Sequence, residues 1–252
     1  MFNFTFNNSP FSANLGRGIE IKDRRLQWIA NPPHIHRMRG FPMRVLVLCD
    51  DQWHPARTPR EGLGALKQNE FIFDWIENAH EWSAERKTSY PLVILTKSNH
   101  VSSIDHDSWM TDEAQVAFAD HVHKGNGLLA IHSGTAGYMQ APMLRNLLGG
   151  VFTHHPEQCP VTMEPKAGHP FAEGTACFTL TDEHYHMALD DHQADIFLTT
   201  HSEYGVQPGG WRRVEGAGRV AVLTPGHNLE VWLHPDFQRL ILHSLQWCGR
   251  MF

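Results

Sequence analysis

The stretch Gly127-Leu128-Leu129-Ala130-Ile131-His132-Ser133-Gly134-Thr135 changes character half-way along. Its first five residues are a short continuous apolar run, the pattern of a strand buried on both faces. The next four are a histidine and small polar residues leading towards a helix. Strand, small-residue turn, helix is the geometry of a nucleophile elbow, whose central residue is held in strained dihedrals close to neighbouring backbone. In the G-x-C-x-G register of such an elbow the nucleophile's place falls on His132, with Ser133 beside it.

Working outward from this strand, similar runs at Arg44 to Cys49, Leu92 to Thr96 and Arg219 to Leu223 alternate with amphipathic stretches. That alternation predicts an α/β domain wound around a mostly parallel sheet. Helices are expected over Leu66 to Trp82 and Thr111 to Lys124. The second has Thr111 as N-cap, Asp112 and Glu113 in the first turn and Gly125 at its end, with Ala114, Phe118 and Val122 turned to the sheet. Pro235 and Asp236 open a last helix whose Phe237, Leu240, Ile241, Leu245 and Cys248 recur every three or four residues. Between 150 and 210, short runs at Pro160 to Glu164, Cys177 to Leu180 and Ile196 to Thr200 suggest a more antiparallel region beside the sheet.

Residues 1–42 carry Asn, Pro, Arg and Gly without periodicity and give way at Met43 to the first strand, so the domain is placed at 43–252. Two readings stand for this lead: translation that begins at Met43, or an arm packing on a neighbouring subunit of a homo-oligomer. The 252 residues, 41% hydrophobic and 19% charged, suit one compact domain. With 21 Lys plus Arg against 27 Asp plus Glu, the net charge of -6 offers no basic field, so nucleic acid is not an expected partner. No apolar run approaches the roughly 20 residues of a membrane helix, the N-terminus lacks the order of a secretory signal, and the cytoplasm is expected. The four cysteines lack C-x-x-C spacing and read as reduced and structural. Nineteen histidines, nearly as many as the Lys and Arg together, point to a polar catalytic pocket.

In open parallel sheets, ligands bind beyond the carboxyl ends of the strands. Here those exits carry Asp50, Asp51 and His54 after the first strand, His132, Ser133 and Gly134 after the elbow strand, and Gly226 and His227 after Arg219 to Leu223.

Several strings bring the residues 43–249 into register with a known family. They are Gly127 to Gly134, Leu147-Leu-Gly-Gly150 with Phe152 and His155-Pro156, His169-Pro170 with Gly174, Asp182-Glu-His-Tyr185, and Gly218-Arg-Val with Gly226-His227 and Trp232. In order and spacing they resemble the trehalose-utilisation (ThuA-like) family. The resemblance implies a flavodoxin-like three-layer sandwich similar to class I glutamine amidotransferases, and a role in carbohydrate metabolism through 3-keto sugars. It departs from the amidotransferases in one respect: no cysteine lies at the elbow, so the thiolate a glutaminase needs is missing.

What remains is a pocket of imidazoles and carboxylates suited to proton transfer. His132, His227, Glu183 and Tyr185 are the catalytic candidates, and His54, Ser133, Gly134, His155 and Trp232 the substrate-binding ones. On a 3-keto sugar, a base removes the acidified C2 proton, a donor stabilises the enolate, and the glycosidic oxygen leaves. A small-molecule sugar is thus the expected partner and no cofactor is assigned, since neither a G-x-G-x-x-G nor a P-loop motif is present. The pairs His154-His155 and His184-His186 raise a divalent metal as an alternative, although histidines close in sequence need not converge. Two other classes stay open: a metal-dependent hydrolase, and a non-catalytic sugar-binding or regulatory protein with an amidotransferase-like shell.

Overall fold

Met43–Leu48 (β1), Leu92–Leu95 (β3), Gly127–Ile131 (β4) and Gly218–Leu223 (β11) are strands, as their apolar runs require. In the computed structural model, which describes residues 41–66, 70–82, 89–192 and 194–251, they pair in parallel in the order β1-β3-β4-β11. All but residues 41 and 42 of the expected N-terminal lead fall outside these described residues. The strand Phe71–Ile76 (β2) adds to the outer side of β1, also in parallel.

That strand corrects the sequence reading, which placed a helix over Leu66 to Trp82. Phe71, Phe73 and Trp75 lie on one face, with successive ring centroids 6.2 Å apart, a period of two that favours a pleated edge. The helix on this connection comes earlier, at Arg57–Gly64 (α1), where a Pro and two Gly in eight residues hid it.

The sheet is mixed rather than mostly parallel. Beyond β11 it continues through Gly205–Glu215 (β10), Asp195–Ser202 (β9), Cys159–Pro165 (β6) and Phe178–Asp182 (β7), every one antiparallel to its neighbour. The full order is 2-1-3-4-11-10-9-6-7. The antiparallel region expected beside the sheet therefore extends it. Gly150–His154 (β5) and His186–Leu189 (β8) form a separate two-stranded sheet.

Both faces of the parallel half of the large sheet are covered. Val45 and Val47 point into one apolar cluster with Phe237, Leu240, Ile241 and Leu245 of the last helix, Pro235–Cys248. Leu46 and Leu48 point into a second with Ala114, Phe118 and Val122 of the helix Asp112–His123. Thr111 caps the latter, its Oγ1 accepting from Ala114 N at 3.2 Å. Parallel strands buried on both faces have to be apolar throughout, so polar chemistry is left to their ends.

Candidate functional site

Four chain segments meet where β1, β4 and β11 end and where β7 passes into β8. His132 follows β4 with a φ of 47°, a left-handed backbone that a branched or bulky residue tolerates poorly without support. Gly134, two residues on, packs so tightly that a Cβ there would lie 1.9 Å from Leu95 O. The turn therefore needs its small residue and drives the His132 side chain to the sheet's carboxyl edge. Gly226 has φ 130°, and Trp232 Nε1 donates to its carbonyl at 2.7 Å, fixing the bend that delivers His227.

The imidazoles of His54, His132 and His227 form a triangle with centroid separations of 5.0, 5.2 and 5.6 Å. Each is held from behind. His54 Nδ1 donates to Asp51 Oδ1 at 2.8 Å, and His132 Nδ1 donates to Thr224 O at 2.8 Å. These acceptors have no proton to give, so both rings carry hydrogen on Nδ1 and present Nε2 to the site. For His227 the support is in the backbone: the buried Asp182 carboxylate accepts from Gly226 N, His227 N and Asn228 N at 2.8, 3.0 and 3.2 Å.

Glu183 closes the group. Its carboxylate oxygens lie 3.3 Å from His132 Nε2 and 3.2 Å from His227 Nδ1. Yet His54 Nε2, His132 Nε2 and His227 Nδ1 are all buried without a hydrogen-bond partner among the described residues. The His132 and His227 nitrogens thus lie close to the carboxylate without good hydrogen-bond alignment to it. One ligating atom from each of His54, His132, His227 and Glu183 lies within 4.8 Å of every other. Bonds of about 2.0–2.2 Å to a late divalent metal would need only a small inward movement from that spread.

The electrostatics follow from this packing. Burial opposes ionisation of Glu183, but the His132 and His227 rings outweigh it and hold the carboxyl well below the usual carboxylate range. Asp51 is held low in the same way, burial being overcome by His54 and by backbone N–H donors. Burial lowers His54, whereas Glu183 outweighs burial at His227 and raises it. Burial also pushes the Tyr185 phenol well above its ordinary value, with Glu183 adding to the effect, so it stays protonated.

Above the triangle lies a cavity of about 640 Å³, lined by His54, Glu183, Tyr185 and His227 together with Trp53, Phe152 and His155. Tyr185 stacks on His132 at 4.0 Å and meets Phe152 at a tilt, 4.1 Å between centroids. His155 stands at the mouth; its Nδ1 donates to Pro156 O at 2.7 Å, and Nε2 lies 3.5 Å from Glu183 Oε1. Ser98, Asn99 and His100, which follow β3, line another wall. Between β1 and β3 the strand order reverses, so the cavity opens at the sheet's switch point.

A family model described as ThuA, trehalose utilisation, matches residues 44–248. The chain belongs to that family. Among solved structures, a ThuA-like protein of Parabacteroides merdae superposes with TM-score 0.66 at 16% identity, covering 82% of this chain and 90% of its own. One from Bacteroides uniformis gives 0.65 at 16%, covering 85% and 95%. A cytoplasmic protein of Salmonella typhimurium gives 0.58 at 14%, covering 82% and 98%. At these identities the likeness is one of fold. No curated protein matches the chain. Among the described residues, no helix is long and apolar enough to cross a membrane.

Within this ThuA-family fold, the structure brings together His132, His227, Glu183, Tyr185, His54 and His155. Three other candidate residues stand elsewhere. Trp232 is 1% exposed and braces Gly226 from the core, so it offers no surface for a sugar to stack on. Ser133 and Gly134 are buried beneath the turn, and Gly134 serves its packing. The metal alternative moves as well. His154 and His186 stack on each other at 4.5 Å, and His184 is held by Ser202 Oγ and Thr200 Oγ1 at 2.6 and 3.2 Å. Among the described residues only His54, His132, Glu183 and His227 form a metal-sized group. Sequence reasoning missed Trp53, although it sits between two strand-exit residues, and the supporting role of Asp182, for which spacing gives no signal.

Proposed function

We propose that this chain is a sugar-catabolic enzyme of the trehalose-utilisation type, acting on a 3-keto disaccharide or glycoside. We further propose that it works with a divalent metal held by His54, His132, His227 and Glu183, in a cytoplasmic, flavodoxin-like domain. One observation carries this reading: three buried imidazole nitrogens and an ionised carboxylate gather within 4.8 Å of one another, and of these rings Glu183 pairs with only His132 and His227, outside good hydrogen-bond geometry, leaving His54 Nε2 unpaired. Lone pairs and negative charge that converge in a partly buried site repel unless a cation lies between them. A proton can serve one pair of these groups; a late divalent ion serves all four.

A bound ion would supply positive charge where a sugar carbonyl gathers negative charge. The chain's own residues do the rest. Asp51, Thr224 O and Asp182 hold the ligand rings or their backbone in place, the role that outer-shell groups play around metals. His155, tethered through Nδ1, offers Nε2 at the cavity mouth as the group that takes or returns the proton next to the carbonyl. Tyr185, kept protonated, is a donor for the leaving glycosidic oxygen.

The test joins metal analysis to turnover. Metal-stripped protein titrated with Zn²⁺, Mn²⁺ and Co²⁺ in a calorimeter is expected to bind one equivalent of at least one of them, and His132→Ala and His54→Ala to lose it. Incubation with 3-keto-trehalose should give cleaved product that chelator abolishes. Turnover without stoichiometric metal would leave a shared proton among His132, His227 and Glu183 as the working cation and overturn the metal. Neither binding nor turnover of any keto-sugar would overturn the sugar reading.

A further inference from the structure

Tryptophan is a costly residue to leave in water, and the described tryptophans other than Trp53 are buried or half-buried. Trp53 is 62% exposed. Its indole makes no hydrogen bond or ring contact among the described residues, yet it lines the cavity above the imidazole triangle.

Its position is not left to a loose loop. Trp53 N donates to Asp51 Oδ1 at 2.9 Å, and the same oxygen accepts from His54 Nδ1 at 2.8 Å. Asp51 is 1% exposed, and its other oxygen accepts from Ser98 N at 2.7 Å. One buried carboxylate thus sets the register between the indole's backbone, a ring of the triangle and the wall that follows β3. An aromatic plate held at a fixed offset from the reacting centre is a way to bind a part of the substrate that does not react.

From this we infer that Trp53 is the stacking platform of a second sugar subsite, holding the ring of a disaccharide or glycoside next to the one that reacts. The inference rests on the sugar reading above and names what it leaves open, namely how the non-reacting half is held. The chemistry matches. A pyranose presents C–H groups on its faces, which suit an apolar aromatic plate, and hydroxyls at its rim, which suit the polar wall of Ser98, Asn99 and His100, where Ser98 Oγ and His100 Nδ1 lie 3.4 Å apart. A cavity of about 640 Å³ is within the size range of small-molecule sites and leaves room beyond the triangle for more than one ring.

The experiment compares wild type, Trp53→Phe and Trp53→Ala in the full chain. Binding of trehalose, 3-keto-trehalose and methyl 3-keto-α-glucoside is followed by calorimetry, with kcat and KM for the two keto-glycosides, each of which has a glycosidic oxygen to lose. Trp53→Ala should weaken binding of both disaccharides and raise KM for 3-keto-trehalose by about tenfold, the loss of one stacking contact, with kcat within about threefold. It should change methyl 3-keto-α-glucoside by less than about twofold, because a single ring occupies the triangle end. Trp53→Phe, which keeps a plate, should retain most of the affinity. Equal affinity of Trp53→Ala and wild type for the disaccharides, or equal losses for both sugar sizes, would overturn the subsite while leaving the sugar reading intact. A shift from dimer to monomer in sedimentation, with sugar binding unchanged, would assign the indole to a subunit contact instead. If wild type binds none of these sugars, the sugar reading fails and the subsite with it.

Discussion

Replacing Asp182 by alanine removes a carboxylate that touches no ligand position and yet holds one in place. The three N–H groups of Gly226, His227 and Asn228 that it accepts, at 2.8, 3.0 and 3.2 Å, form the turn out of β11. Hydrogen bonds to a charged group contribute about 1.5–3 kcal/mol each, and a buried donor left without a partner loses its solvation as well. The Gly226 bond is fully buried, whereas the other two are partly buried and water can replace them in part. Taking the first at full value and the others at reduced value, Asp182→Ala should cost about 3–5 kcal/mol and lower Tm by roughly 10 °C. Asp182→Asn keeps one acceptor oxygen but turns an amide N–H towards a backbone N–H, and should cost about 1.5–3 kcal/mol. Urea unfolding reads both as a shift in midpoint at unchanged slope. Below its melting range, the folded Asn variant should bind Zn²⁺ about 10–100-fold more weakly than wild type, because His227 hangs from this turn. An alanine variant within about 1 kcal/mol of wild type would refute the reasoning, since three bonds to one buried carboxylate cannot then be what fixes the turn.

Two further outcomes follow from packing. Cys49, Cys159 and Cys248 are buried, burial pushing the Cys49 thiol up to about 12, and Cys177 is exposed; iodoacetamide on native protein should therefore label Cys177 alone and leave turnover unchanged, and inactivation on labelling would contradict this. A Cβ at Gly134 would meet Leu95 O at 1.9 Å, whereas one at Gly64 would meet nothing within 4 Å; Gly134→Ala should unfold or lose about 3 kcal/mol or more, and Gly64→Ala, at a helix end, should be neutral or up to about 1 kcal/mol more stable, both read by thermal melting.

The error at Phe71–Ile76 shows how far pattern alone reaches. A run of aromatic and branched residues next to a charged segment fits a helix face or an edge strand, and pairing with β1 decides between them. Strands β6, β7 and β9 were legible as strands, but their joining the main sheet through β10 was not, because short runs carry no record of their neighbours. Trp232 and Trp53 make the same point within the site. Both are tryptophans close to a strand-exit histidine, and only the fold buries one under Gly226 and leaves the other at the cavity rim.

By itself, the sequence determined the parallel strands β1, β3, β4 and β11, the elbow at His132 and the edge of the sheet where chemistry gathers, because periodicity, small residues and strand exits are local properties of the chain. The tertiary structure alone decided that His54 completes the triangle, that Asp51 and Thr224 O fix which nitrogens face inward, and that Glu183 arrives from the connection between β7 and β8 to meet them. Direction and convergence depend on how separate segments dock, and no spacing along one chain encodes where two imidazole lone pairs will point.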